Sequence, residues 1–321
     1  MRSIYFKDGR IELINRVKPV LSSGEALLRV LVAGICNTDI ELHRGYYGFE
    51  GTPGHEFVAV VEDCPDQPEL VGKRVVADIN CPVGPFRGDH RHAPNRTVIG
   101  IVNHDGAFAE YLKAPARNLV VVPDCVEDRA AVFAEPLAAG LEVSQQIHIT
   151  GNMRVMVLGD GKLGLLTALG LKLYNPHVLL VGKHADKLAI AGAQGVKTHC
   201  IGQPEELSTL AAGLEKFDLV VEATGSESGI NYALEFVRPE GTIVAKTTSH
   251  LPSSINLAKL VVDEISIVGS RCGDIGLAMN VLEQARVDVS GLIEAEYAFE
   301  DFSAAFERAM TRGAKKVLVR M

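Results

Sequence analysis

In the first 125 residues the apolar positions come in short runs, 26–33, 57–62, 74–79 and 119–122, each bounded by Gly, Pro, Asp or Asn. Runs of that length closed by turn residues predict strands, and nothing between them carries a helical period. The texture changes at Glu127, where Ala and Leu begin to recur with helical spacing. A regular alternation follows. Strands are predicted at 155–158, 178–181, 219–222 and 242–246, and helices at 162–174, stopped by Pro176, at 185–194 and at 228–236. Strand, helix, strand in that rhythm predicts a parallel sheet covered by helices. The last fifty residues add two helices and two strands. Phe302, Ala305, Phe306, Ala309 and Met310 fall at helical spacing, Gly313 stands where a glycine would close that helix, and 315–320 reads as a terminal strand. No internal repeat or low-complexity linker is found.

Composition changes this picture little. At 321 residues, 47% hydrophobic and 22% charged, the chain is long enough for two domains with cores of their own. Its formal net charge of −8 argues against nucleic acid or an anionic membrane surface as the main partner. It does not argue against a phosphorylated cofactor, whose site is local. Residues 1–12 hold no long apolar run, so no secretory signal is expected. The most apolar stretch, 155–173, is broken by Asp160, Lys162 and Lys172 and does not read as a membrane span. A cytoplasmic protein is expected. The six cysteines, Cys36, Cys64, Cys81, Cys125, Cys200 and Cys272, form no close pair, which favours free thiols or a metal ligand over disulfides. Cys64, Cys125, Cys200 and Cys272 are expected to be buried as small hydrophobes.

The first chemistry lies at Gly159-Asp160-Gly161-Lys162-Leu163-Gly164, directly after the predicted strand 155–158 and at the start of a helix. That context turns a common glycine pattern into a dinucleotide site. Gly159 makes the tight turn, Gly161 admits the pyrophosphate to the backbone, and Gly164 lets helix and strand pack closely. The helix start, with Lys162 and Leu163, offers free N–H groups to the phosphates. NAD enzymes carry an acid at the end of the second strand to bind the ribose hydroxyls. Here that strand ends Val181-Gly182-Lys183-His184. Glycine leaves room for a 2′-phosphate, Lys183 offers a cation and His184 a second donor, so NADP(H) is expected over NAD(H). The alternative is that Lys183 is solvated and the site unselective.

Two further segments carry metal-binding residue types: Gly34-Ile35-Cys36-Asn37-Thr38-Asp39 and Gly54-His55-Glu56. Together with Gly106-Ala107-Phe108-Ala109-Glu110-Tyr111, Glu135-Pro136-Leu137, Val221-Glu222-Ala223-Thr224-Gly225 and the closing strand, they run in order along the whole chain. In this the sequence resembles the medium-chain, zinc-containing alcohol and polyol dehydrogenases. The resemblance implies an α/β architecture. A GroES-like β-rich catalytic domain would span 1–126, a Rossmann doubly wound parallel sheet 127–270, and 271–321 would return to the catalytic domain, with the active site in the cleft between the domains. It implies hydride transfer between NADP(H) or NAD(H) and an alcohol, polyol or carbonyl substrate, and a chain that forms homodimers or homotetramers. It makes Cys36 and His55 ligands of one catalytic Zn²⁺, with Asp39 orienting the histidine. Alcohol dehydrogenases of the family place a second cysteine where this chain has Ala138. The polyol branch uses glutamates, present as Glu56 and Glu135; one is expected to bind zinc and the other to hold a water or exchange with it. Thr38 matches the hydroxyl that meets the substrate oxygen and starts a proton relay. Glu41 stands where the relay histidine often lies, and His43 is off that spacing. Thr224 and Arg271 match cofactor contacts, although Arg271 reads equally as a surface ion pair.

The lobe that holds a second, structural zinc in many relatives retains only Cys81 of its four cysteines. The bland reading of Cys81, Asp89, His90 and His92 is a polar loop, and the sharper alternative is an unorthodox second site. Tyr46, Tyr47 and Phe49 either line the substrate pocket or simply pack. The competing functions are a zinc-free quinone or enone reductase of the same superfamily, which would lack the Cys36 and His55 pair, and a non-catalytic nucleotide sensor.

Overall fold

The computed structural model describes residues 1–85, 87–248 and 253–321, and of Tyr47 the backbone alone. The chain divides into two compact units, Met1–Glu135 with Ile275–Ala285 and Val289–Met321, and Pro136–Asp274 with Arg286–Asp288.

The first unit is built on a seven-stranded sheet. Its order is Ile293–Ala298, Lys316–Arg320, Glu25–Ile35, Glu56–Asp63, Arg74–Ala77 and Leu119–Val121, with Tyr111–Pro115 also paired to Glu25–Ile35. The strand Glu25–Ile35 sets the register of everything that follows. Gly34 lies opposite Glu56 on one side and opposite Leu318 on the other. The chain's last strand therefore delivers Lys316 to the end of the strand that leads into Cys36. An N-terminal hairpin, Arg2–Lys7 with Arg10–Asn15, is closed by Asp8-Gly9, both at positive φ, the turn that matches the twist of paired strands. Its charged outer face hides it from a search for apolar runs. The helix Phe302–Met310 buries Phe302, Ala305, Phe306 and Ala309, as its period predicts. Met310 faces outward. Gly313 (φ +85) lies in the turn beyond Thr311, not directly behind the helix.

This unit reaches beyond residue 126, where the change in texture suggested a boundary. Asp128–Ala131 is a short helix whose Ala131 is buried. Arg74 Nη1 ties its start to the sheet, 2.8 Å from Asp128 Oδ1 and 2.9 Å from the Val126 carbonyl.

The second unit is a six-stranded parallel sheet in the order Lys197–Cys200, Val178–Gly182, Val155–Leu158, Phe217–Glu222, Val237–Ala245, Ser266–Gly269. Val155–Leu158 and Val178–Gly182 are buried throughout, as strands covered on both faces must be. Strand order reverses between Val155–Leu158 and Phe217–Glu222, and ligands of such sheets bind beyond the carboxyl ends at that reversal. The two edges carry weaker signals. Lys197–Cys200 is mostly exposed and polar, which also explains why Cys200 is exposed rather than a core thiol. Cys125, in the turn after Pro123-Asp124, is exposed as well, while Cys64 and Cys272 are buried. No helix among the described residues is long and apolar enough to cross a membrane.

Candidate functional site

Three potential ligands converge at the head of the first unit's sheet. Cys36 follows the strand Glu25–Ile35 and opens the helix Asn37–His43. Its backbone N–H donates to Asp39 Oδ2 (2.8 Å), fixing the helix start. Glu56 opens the next strand, Glu56–Asp63, and His55 immediately precedes it. Cys36, His55 and Glu56 each offer a ligand atom, and these atoms all lie within 4.8 Å of one another. His55 and Glu56 are buried and Cys36 is half-buried. His55 Nδ1 lies 3.3 Å from Asp39 Oδ1, yet the two do not meet in hydrogen-bond geometry. Those two atoms and Glu56 Oε1 are buried without a hydrogen-bond partner. Thiolate, imidazole and carboxylate are a donor set that zinc takes, and the buried, unpartnered Glu56 Oε1 is an atom that a bound cation would satisfy. Thr38 Oγ1 stands 3.8 Å from Cys36 Sγ.

The loop before His55 is held by three glycines. Gly54 has φ +99. Gly106 N–H donates to the Thr52 carbonyl (2.7 Å) and Ala107 N–H to that of Gly54 (2.8 Å). A Cβ on Gly106 would fall 2.2 Å from the Gly54 oxygen, and one on Gly100 2.3 Å from it. Gly106-Ala107-Phe108 therefore clamps the segment that presents His55.

One member of the site was not visible as such in the sequence. Lys316 Nζ forms an ion pair with Glu56 Oε2, both side chains 1% exposed. Gly34 makes the room, since a Cβ there would meet Glu56 Oε2 at 2.8 Å and Lys316 Cδ at 3.1 Å. Burial opposes the Lys316 charge, but Glu56 foremost, then Cys36 and Asp39, hold its pKa above the ordinary value. In the metal-free protein burial likewise opposes a charged His55, and Asp39 and Cys36 outweigh it, raising its pKa well above the usual 6.5. Glu135 is close enough to feel these charges but is not in the three-residue group. Burial pushes its carboxyl up to about 7; His55 and Lys316 oppose the rise and Glu56 adds to it.

The remaining expectations separate. His43 packs edge-on against Phe6 and Phe306, centroids 5.4 and 5.2 Å away, and Glu41 is paired with Arg44. In the lobe around Cys81 the cysteine and histidines do not gather. Cys81 Sγ is buried near the Ile79 carbonyl and Asn118 Nδ2, both at 3.7 Å. Burial, with Asp78 beside it, pushes its thiol up to about 12. His90 Nε2 is 2.8 Å from Asp78 Oδ2, and Asp89 bonds Arg91. Among the described residues the only group of three or more potential ligands is Cys36, His55 and Glu56, so the unorthodox second site finds no geometry here. Phe86 of that lobe and the Tyr47 side chain lie outside the described residues. Phe49 packs against the core.

The glycine loop of the second unit has the shape its spacing predicts. Gly159 has φ +111, and a Cβ there would lie 2.4 Å from the Ala223 carbonyl oxygen. A Cβ on Gly164 would fall 2.0 Å from the Gly159 oxygen, whereas Gly161 has nothing within 4 Å. The tight turn and the close helix packing leave Gly161 open toward a ligand, so the cradle fits a pyrophosphate. Lys162 and Leu163 begin the helix Lys162–Lys172. Thr224 donates from N and Oγ1 to Glu222 Oε1, at 2.8 and 2.6 Å, which orders the next strand end. Lys183 and Arg271 are exposed. The second strand does not end in vacant space, however. Asp160, 7% exposed, lays its carboxylate against Gly182 and accepts from the Lys183 and His184 amides at 2.7 and 2.6 Å. The premise that glycine leaves room here is thereby corrected. The signal was an acid at the second position of the glycine loop paired with a glycine at the next strand end.

Comparison with known proteins places these features in a family. Residues 22–124 match the alcohol dehydrogenase GroES-like domain, and residues 163–286 the zinc-binding dehydrogenase family. The chain is 31% identical over 286 residues to the starvation-sensing protein RspB of Escherichia coli (strain K12), covering 84% of each. It is 28% identical to D-arabinitol dehydrogenase 1 of Uromyces fabae, over 100% of this chain and 97% of the other. Among solved structures, a short chain alcohol dehydrogenase from E. coli CFT073 complexed with NADH superimposes with a TM-score of 0.91 at 27% identity, covering 100% of this chain and 99% of that one.

Proposed function

The chain belongs to the zinc-dependent medium-chain dehydrogenases, and from that premise we propose that Cys36, His55 and Glu56 hold its catalytic zinc and that Thr38 meets the substrate oxygen. The enzyme is an NAD(P)-dependent alcohol or polyol oxidoreductase, as its relatives' names indicate. The observation that carries the site assignment is the convergence of three ligand atoms within 4.8 Å. A thiolate, an imidazole and a carboxylate leave a fourth, open position for substrate. Zinc, when bound, supplies Lewis acidity to the substrate's hydroxyl or carbonyl oxygen. The chain's own groups do the rest. Asp39 Oδ1, 3.3 Å from His55 Nδ1, would hold the proton on that nitrogen once the pair closes into a hydrogen bond and leave the Nε2 lone pair for the metal. Glu135, whose carboxyl burial pushes up in the metal-free protein, would hold a water or take Glu56's place. In the oxidative direction the Thr38 hydroxyl would accept the substrate's hydroxyl proton while passing its own on to water, and a bound nicotinamide would supply the hydride acceptor. Gly159, Gly161, Lys162, Leu163 and Gly164 would cradle the pyrophosphate, with Lys183, His184, Thr224 and Arg271 around the rest of the dinucleotide.

Purified protein is expected to hold one zinc per chain. Cys36→Ser should lose the metal, measured by atomic emission, together with turnover in a screen of alcohols and polyols. Full turnover by that variant would overturn the assignment.

The chain also self-associates on this reading. Among the described residues the edge strand Ser266–Gly269 is bonded on one side only, to Val237–Ala245, and Leu257, Val261, Val262 and Ile267 are exposed. Apolar surface on an open edge supports a second copy as partner.

A further inference from the structure

Strands Val155–Leu158 and Val178–Gly182 are parallel neighbours, with Leu158 opposite Val181. The residues that follow each strand therefore emerge side by side. Asp160, from the glycine loop, uses this neighbourhood fully. Its Oδ2 accepts from Lys183 N–H (2.7 Å) and His184 N–H (2.6 Å), and both carboxylate oxygens lie 3.1 Å from His184 Nδ1. A Cβ on residue 182 would fall 2.4 Å from Asp160 Cβ and 2.5 Å from Cγ and Oδ2. Gly182 is thus a consequence of Asp160. A carboxylate supplied by the first loop stands where a side chain on the second strand would begin.

Two consecutive backbone amides, an imidazole and the start of the nine-residue helix Ala185–Ala193 form a concave set of donors suited to an anion. A 2′-phosphate carried to Lys183 and His184 would need those same donors. They are already taken by a fixed negative charge, which would also repel it. Lys183 is exposed, and a solvated ammonium compensates little. A ribose hydroxyl meets the opposite situation. Oδ1 accepts from no backbone N–H among the described residues; it lies 3.1 Å from His184 Nδ1 and keeps a second lone pair that can take an O–H. We infer that Asp160 reads the adenosine ribose and selects NAD(H) against NADP(H), in place of the acid that the second strand lacks. The inference rests on reading 159–164 as the dinucleotide site.

The test is the ratio of Kd values for NADPH and NADH, measured on the zinc-loaded enzyme by nicotinamide fluorescence. The two ligands differ only in the phosphate, so a general loosening of the site moves both constants and leaves the ratio alone. Wild type should bind NADH at least about tenfold more tightly. Asp160→Asn, which keeps the shape and removes the charge, and Asp160→Ala, which empties the donor set, should each lower the ratio by about tenfold or more. Tighter NADPH binding by wild type, or a ratio unmoved in both variants, would overturn the inference while leaving the dinucleotide site intact. If neither dinucleotide binds, the dinucleotide reading fails and this inference with it.

Discussion

Lys316 is the residue on which the buried charge of the metal site turns. Removing one partner of a buried ion pair leaves the other charge without compensation, at a cost of about 3–5 kcal/mol. Lys316→Met should therefore destabilise the metal-free protein by roughly that amount, while Lys316→Arg should retain most of the stability. Combining Lys316→Met with Glu56→Gln should recover a large part of the loss, because neither member of the pair is then left as an uncompensated charge. Urea denaturation of the four proteins checks this, and a loss that persists undiminished in the double variant would argue for a packing role instead. The sequence made Glu56 visible through its place after His55, but not its partner. The two lie 260 positions apart, and one chain's pattern does not reveal which strands pair or in what register. Once Val317 is opposite Ile35, Lys316 has no other place to go. Asp160 was hidden for a similar reason: its role depends on a neighbouring strand end, not on its own motif.

At the scale of elements, the metal site is a property of how two loops touch. The segment Thr52–Pro53–Gly54 receives N–H donors from Gly106, Ala107 and Phe108, and the backbones approach too closely for any Cβ at Gly106. Gly106→Ala should push the Gly54 carbonyl away, shift His55, cost about 1–3 kcal/mol in overpacking and release zinc faster. Gly151→Ala, where nothing lies within 4 Å, is the control. Zinc release followed with a chromogenic chelator distinguishes them, and equal rates would show that the clamp does not govern the site. The motif Gly106 to Tyr111 was legible in the sequence as a family feature, but its physical purpose appears only in the contact with Gly54. The alternation of strands and helices in 155–246 was legible because buried parallel strands are apolar throughout. The strand Lys197–Cys200 and the N-terminal hairpin were not singled out, because a solvated face replaces apolar runs with charge.

At the scale of the whole molecule, the open edge of the parallel sheet is the feature that calls for a partner. Natural sheet edges are usually blunted by charge, proline or a bulge. Ser266-Ile267-Val268-Gly269 has no charge and no proline, and its pairing with Val237–Ala245 runs in unbroken register from Thr242–Ser266 to Ala245–Gly269. Antiparallel pairing of this strand with its own copy across a two-fold axis would satisfy the free N–H and C=O groups of both. It would also turn six strands into a continuous sheet across the pair. The same axis would bring the exposed Val261 and Val262 of the adjacent helix Leu257–Val262 toward their counterparts, removing apolar surface from water at about 25 cal/mol per Å². Light scattering at micromolar concentration should thus report at least a dimer. Ile267→Lys together with Val262→Lys should shift it to monomer, since like charges would then face each other across the axis. The zinc content per chain should not change, because the metal ligands lie in the other unit. A wild-type monomer, or a double variant that still pairs, would place the contact elsewhere.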